Sequence, residues 1–211
     1  MDMLESRLES SSPARVAGIA IKVIGSPSRT DDDLKRLVAI VGKAAAIHSN
    51  SIELLLLYGD VLNWTGKVDQ SLACYDAVLS QIPDHPIAIN NRAFLLCIYN
   101  RDAAAGLAAL HNLIKLHGPL GSYLDTRGLA YLATRQPEKA VADFEYAVRD
   151  MEDGERLFHL AKAYKALDRM DDAVRTMSRA IELGAEARFM HPRERADFEA
   201  LYAEVRKRID K

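Results

Sequence analysis

Cysteine is nearly missing from this chain: Cys74 and Cys97 are the only two in 211 residues. They do not make a C-x-x-C pair, and nothing obvious near them would lower a thiol pKa, so redox chemistry has no motif to support it. Both fall inside expected helices, where a free cysteine is ordinarily a buried thiol of a reducing compartment. Their place in successive helix pairs keeps a redox pair as the alternative. A dominant charge is missing too. The formal net charge of -2 gives no global pull toward nucleic acid or an anionic membrane. No basic stripe interleaved with aromatics is present, which disfavours nucleic-acid binding. No run of about 20 mostly apolar residues could span a bilayer; residues 16–24 are apolar but interrupted by Lys22. The first eight residues are acidic, whereas a secretory signal begins basic. The expected location is the cytoplasm.

Enzyme signatures are equally scarce. The chain has no G-x-G-x-x-G, no P-loop, no G-x-S-x-G and no H-E-x-x-H. His48 and His85 fall at junctions between helix pairs, and His111 and His117 are six apart, which is not the i, i+4 spacing of two ligands on one helix face. The aspartates 31–33 and the pair Asp171 and Asp172 occupy helix starts, where capping and the helix dipole explain them better than acid–base catalysis. The expectation is a non-enzyme without cofactor or metal.

What the chain does have is repetition. A small residue followed three positions later by a large one recurs as Gly59 and Leu62, Ala93 and Leu96, Gly128 and Tyr131, and Ala161 and Tyr164. The small residues are 34, 35 and 33 positions apart. A second mark follows each: Ser71, Tyr75 and Val78; Gly106, Leu110 and Leu113; Ala140, Phe144 and Ala147; Ala173, Met177 and Ala180. Spacings of three and four put each set on one helical stripe. The distance between the two small residues of a repeat is 12, except in repeat two, where it is 13. That extra residue must lie in a turn, because inside a helix it would rotate all later side chains by about 100°. Polar connections at residues 65–66, 100–102, 135–137 and 168–169 mark the turns, and Pro137 suits a first helical turn. Asn50 with Glu53 reads as a capping box opening repeat one. Self-similarity at this period signals a stacked array in which neighbouring repeats bury each other's apolar faces. With 49% apolar and 27% charged residues, the chain can bury a substantial core as one elongated domain.

On these residues the chain resembles the tetratricopeptide repeat family over residues 52–184. Repeat three fits its pattern best, through Leu124, Gly128, Tyr131, Ala140, Phe144 and Ala147, and repeat four nearly as well, through Leu157, Ala161, Tyr164, Ala173 and Ala180. Repeat one keeps Gly59, Tyr75 and Pro83; repeat two keeps only size and polarity. The resemblance implies an all-α fold, a right-handed α-α superhelix of antiparallel helix pairs. Four repeats are expected at 52–85, 86–120, 121–153 and 154–185. Packing supplies a reason for the pattern independent of the family: small residues let two helices approach, and bulky ones fill the remaining space.

The ends are less regular. Residues 1–50 suggest helices over 15–24 and 31–47, separated by a loop over 25–30, with Thr30 as N-cap and three aspartates in the first turn. They would be a degenerate further repeat, or a linker from a longer protein with only the second helix docked. Over residues 186–211, Pro192 is expected to open a helix with Phe198, Leu201, Tyr202, Val205 and Ile209 on one stripe and Arg195, Glu199, Arg206 and Asp210 off it. Such a helix would cap the array; a partner-binding amphipathic helix is the alternative.

Function follows from the resemblance. The first helices of such repeats line a concave groove, which here would present Asp60, Asn63, Asn90, Asn91, Phe94, Asp125, Leu129, Phe158, His159 and Lys162. Amides such as Asn90 and Asn91 can hold the backbone of an extended peptide. The alternative is that half of these residues are simply solvated or pack on the next repeat. The clamp that some family members use for an acidic chaperone tail is matched only at Asn91, while Leu56, Asp60, Ser122 and Thr126 depart from it. The expected partner is a protein or peptide segment, with no nucleic acid and no membrane. The competing assignment is a structural, regulatory or self-associating module of a larger protein, or a secretion-type chaperone.

Overall fold

The computed structural model describes residues 12–24, 26 and 29–209. Residues 1–8, residues 25, 27 and 28 of the first expected loop, Asp210 and the side chain of Ile209 lie outside the described residues. The described residues form helices α1 (Pro13–Ile24), α2 (Asp31–Ile47), α3 (Ile52–Trp64), α4 (Val68–Gln81), α5 (Pro86–Ile98), α6 (Ala103–His117), α7 (Gly121–Ala133), α8 (Pro137–Asp150), α9 (Gly154–Ala166), α10 (Met170–Glu182) and α11 (Arg195–Ile209). A 3-10 turn covers Ala187–Phe189, and no strand occurs among the described residues. The fold is all-α, built of helix pairs. No helix among the described residues is long and apolar enough to cross a membrane.

The repeat marks are buried throughout. Ala93, Ala161, Leu62, Leu96, Tyr131 and Tyr164 are core residues, as are the second-helix sets from Ser71 to Ala180. Gly59 and Gly128 show why small residues recur: a Cβ at 59 would come within 2.7 Å of the Tyr75 ring, and one at 128 within 2.5 Å of the Phe144 ring. Ser71 adds a buried bond, its hydroxyl donating to the Gly59 carbonyl at 2.7 Å.

The turns repeat as faithfully as the core. Gly66, Asn100, Arg135 and Asp168 all have positive φ. In each case the next N–H reaches back to a carbonyl five residues earlier: Lys67 to Leu62 at 2.9 Å, Arg101 to Leu96 at 2.9 Å, Gln136 to Tyr131 at 2.8 Å and Arg169 to Tyr164 at 3.0 Å. This left-handed closure satisfies carbonyls that the ending helix leaves open. Glycine meets its backbone requirement at no steric cost, yet only the first of the four turns has one.

The chain divides into two compact bodies, one ending at Arg92 and one beginning at Ala93. In the amino-terminal body α1 packs on α2 and α3, and its buried Val16, Ala17 and Ala20 join Leu37, Val41, Leu54 and Leu62 in one core. The Thr30 hydroxyl accepts from the Asp33 N–H at 3.1 Å, and the Asp33 carboxylate accepts from the Thr30 N–H at 2.9 Å. In the carboxy-terminal body α7 packs on α8, α8 on α9 and α9 on α10, with α11 covering α10 through Phe198, Leu201 and Val205. Arg127 of α7 grips Asp143 of α8 with two 2.7 Å bonds.

Two expectations are corrected. The cap of α3 is Ser51, whose hydroxyl accepts from the Leu54 N–H at 3.3 Å; Asn50 lies in the preceding turn and does not serve. The last helix starts at Arg195, not Pro192, because residues 192–194 form a turn. That turn carries Glu194 into the interior.

Candidate functional site

Helix α9 starts from Asp153, whose carboxylate accepts from the N–H groups of Glu155 at 3.0 Å and Arg156 at 2.9 Å. With the start fixed there, Glu155, Phe158, His159 and Lys162 follow at intervals that share one face. Helix α7 contributes Asp125 and Leu129, four apart, and the end of α5 contributes Phe94 and Cys97, three apart. Onto these side chains comes the non-helical stretch between the 3-10 turn and α11.

Glu194 is the centre of the contact. It is 2% exposed, and His159 is 1% exposed. The His159 ring spans two carboxylates: Nδ1 lies 2.9 and 3.1 Å from the oxygens of Asp125, and Nε2 lies 3.1 Å from Oε2 of Glu194. Lys162 donates to Oε1 of Glu194 at 2.9 Å and pairs with Asp197 at 3.1 Å. Burial opposes charge on His159, but the charges and hydrogen bonds of Asp125 and Glu194 override it and raise its pKa well above the ordinary histidine value. Burial likewise works against ionised Glu194, yet His159 and Lys162 hold its carboxyl far below the usual range. His159 and Lys162 thus each contact two carboxylates and share Glu194 between them. Removing one partner of such a buried pair typically costs about 3 to 5 kcal/mol.

Aromatic contacts complete the attachment. The His191 ring meets Phe94 edge-on at 5.4 Å and Tyr99 at 6.0 Å. Phe158 packs against Phe198 at 5.1 Å, and the Lys162 ammonium lies 5.1 Å from the Phe158 ring centre. A cleft of about 310 Å³ remains, lined among others by Cys97, Leu129, Lys162 and Glu194.

The amino-terminal body holds a smaller polar group. Oδ1 of Asp60 on α3 accepts from the Tyr75 hydroxyl at 2.6 Å and from the Asn91 amide at 2.9 Å. Asn90 donates to Oδ1 of Asn91 at 3.2 Å, while its own Oδ1 is buried with no hydrogen-bond partner among the described residues. Burial raises the Asp60 pKa against the lowering effect of both hydrogen bonds.

The structure therefore sorts the expected groove residues into two sets. Asp60, Asn90 and Asn91 are joined by hydrogen bonds, and Asn63 is half-buried on the same helix as Asp60. Phe94, Asp125, Leu129, Phe158, His159 and Lys162 lie about residues 190–198 of the same chain, with Phe158 and His159 fully enclosed. Glu194, His191 and Tyr99 were not expected at the face. Glu155 and His159, at i and i+4, carried a legible pairing signal; Glu194 had none, since a lone glutamate 35 positions beyond His159 has no period to betray it. Cys74 and Cys97 are free and buried, and burial pushes their thiols up to about 11 and about 12.

Residues 154–184, which coincide with repeat four, match the tetratricopeptide repeat family. Among solved structures, the chain is similar to TTC0263, a thermophilic protein of this repeat type from Thermus thermophilus, with 15% identity over 92% of this chain and 98% of that one and a TM-score of 0.73. It is also similar to MamA, from residue 41 to its end, of Desulfovibrio magneticus, with 19% identity over 82% of this chain and 96% of that one and a TM-score of 0.58. At such identities the likeness is one of fold. No curated protein sequence matches the chain.

Proposed function

We propose that this chain, an array with the tetratricopeptide-repeat fold, is a protein-interaction scaffold that holds a peptide or protein segment on the first helices of its repeats. One arrangement carries the proposal: the first-helix side chains of the carboxy-terminal body already hold a non-helical stretch of polypeptide, with one buried carboxylate and one histidine ring as its anchors. Those side chains are therefore chemically suited to a peptide. Because residues 190–194 take that face, the positions for an external partner are Asp60, Asn63, Asn90 and Asn91 of the amino-terminal body. Oδ1 of Asn90 is buried and unpaired, and a rotation of this half-buried side chain would turn it outward as an acceptor for a backbone N–H.

The test compares proteins captured from native lysate by the wild-type chain with those captured by an Asn90→Ala/Asn91→Ala variant of the same helical content. Loss of the wild-type partners is expected. An unchanged set of partners would remove these amides from the binding surface and end the proposal.

A further inference from the structure

We infer that Glu155, His159 and Glu194 form a binding site for a transition-metal dication of the zinc class. One donor atom from each of the three lies within 4.8 Å of the others, and two of the three residues are buried. Glu155 and His159 stand four apart on α9, so both project from one face a turn apart. Glu194 arrives from a separate segment and places Oε2 at 3.1 Å from Nε2 of the imidazole. Ligands about 2.0 to 2.2 Å from a tetrahedral ion stand roughly 3.3 to 3.6 Å from one another. The histidine and Glu194 are thus nearly at the required separation. The remaining separations, at most 4.8 Å, exceed the tetrahedral spacing by roughly an ångström, which an inward rotation of the exposed Glu155 side chain would close.

The surroundings meet two further requirements of a metal site. Asp125 holds Nδ1 of His159 at 2.9 Å, which fixes the ring and directs Nε2 toward the ion, the outer-shell arrangement that most metal-bound histidines have. Charge also favours a cation: with a neutral imidazole, the carboxylates of Asp125, Glu194 and Asp197, joined by Glu155 once it ionises, outnumber the ammonium of Lys162, and a dication offsets the excess. Lys162 occupies Oε1 of Glu194 and leaves Oε2 for the ion. On binding, Nε2 releases its proton to solvent and donates its lone pair to the metal. An imidazole nitrogen with two carboxylates suits zinc, cobalt or manganese better than magnesium or calcium, which prefer oxygen alone. Three protein donors leave a fourth position for water. The bound ion would bridge α9 to residues 190–194.

Cobalt(II) is the probe, added to the full chain after removal of metals by chelator and dialysis. One equivalent is expected to bind and to give the intense visible bands of four- or five-coordinate cobalt, which zinc then displaces. Glu155→Gln leaves the contacts of His159 with Asp125 and Glu194 in place, so the variant should fold as wild type by circular dichroism; it is expected to bind at least about 10-fold more weakly. Asp125→Asn is expected to weaken binding by about 10- to 100-fold through loss of imidazole orientation. No binding at millimolar cobalt, the weak spectrum of six-coordinate cobalt, or binding unchanged in Glu155→Gln would each overturn the assignment.

Discussion

Gly128 on α7 lies against the ring of Phe144 on α8, so close that a Cβ at 128 would stand 2.5, 2.6 and 2.8 Å from three ring carbons. Phe144 is fully buried in the core cluster, so its ring can shift only by disturbing packed neighbours. Gly128→Ala is therefore expected to destabilise, at about 1 to 3 kcal/mol from overpacking, against a gain of about 1 kcal/mol in helix propensity. Gly18 on α1 is the control, because a Cβ there meets nothing within 4 Å; Gly18→Ala should stabilise by up to about 1 kcal/mol. Thermal unfolding of the two variants should shift in opposite directions.

Phe144→Ala tests the other side of the same contact. Removing a fully enclosed ring leaves a cavity, and the expected loss is about 3 to 5 kcal/mol. Urea unfolding that shows less than about 1 kcal/mol would mean that the small and large residues of repeat three do not support each other.

Arg135 and Asp168 hold φ of 59° at turns where repeat one has Gly66. The left-handed region costs a residue with a Cβ about 1 to 2 kcal/mol, and glycine gives back part of any relief through a freer unfolded chain. Arg135→Gly should accordingly stabilise by about 0.5 to 1 kcal/mol, and Gly66→Ala should destabilise by about 1 kcal/mol. Equilibrium unfolding of both variants checks the pair of signs.

Asp60 has a pKa raised chiefly by burial, in spite of hydrogen bonds from Tyr75 and Asn91. A carboxyl whose folded pKa exceeds its unfolded value stabilises the fold below the unfolded pKa, and that contribution is lost as pH rises through the folded value. Asp60→Asn keeps an oxygen for the two donors, which both bond to Oδ1, and removes the buried charge. The variant should melt above wild type at pH 7, with the difference shrinking as pH falls toward about 4. A lower melting temperature at pH 7 would contradict this.

Cys74 and Cys97 should resist modification. With thiols pushed up to about 11 and about 12 by burial, assisted by the charges of Asp60 and Asp102, no more than about one in a thousand is thiolate at pH 8. Iodoacetamide should label the native protein at least about 100-fold more slowly than the urea-unfolded chain.

The sequence made the repeat and much of its packing visible because these depend on side-chain volume at fixed helical spacing. Gly59 under Tyr75 and Gly128 under Phe144 are such cases, and Thr30 before three aspartates marked α2 through local bonding alone. Ser51 was obscured by a better-matched Asn50 and Glu53 pair one register away. At the face, helical spacing placed His159 and Lys162 on the inner side of α9. It could not show that Glu194 would lie between them, because that contact depends on the path of a turn and on charges brought together only by folding. Family analogy assigns a face to each repeat position without saying what will cover it, which is why Phe158 and His159 were expected to be open to a partner.

The contacts of His191 with Phe94 and Tyr99 also bear on how the carboxy-terminal body comes apart. A simple repeat array touches only nearest neighbours in sequence, so it can fray from one end, repeat by repeat. Here residues far apart along the chain meet directly, and Glu194 joins α7 to the final segment through His159. Such closure is slow to form, since a long loop must be ordered before it is rewarded. Once made, it ties the last turn of the body to the first, so hydrogen exchange should find α7, α9 and residues 190–194 opening together as one cooperative unit rather than in succession.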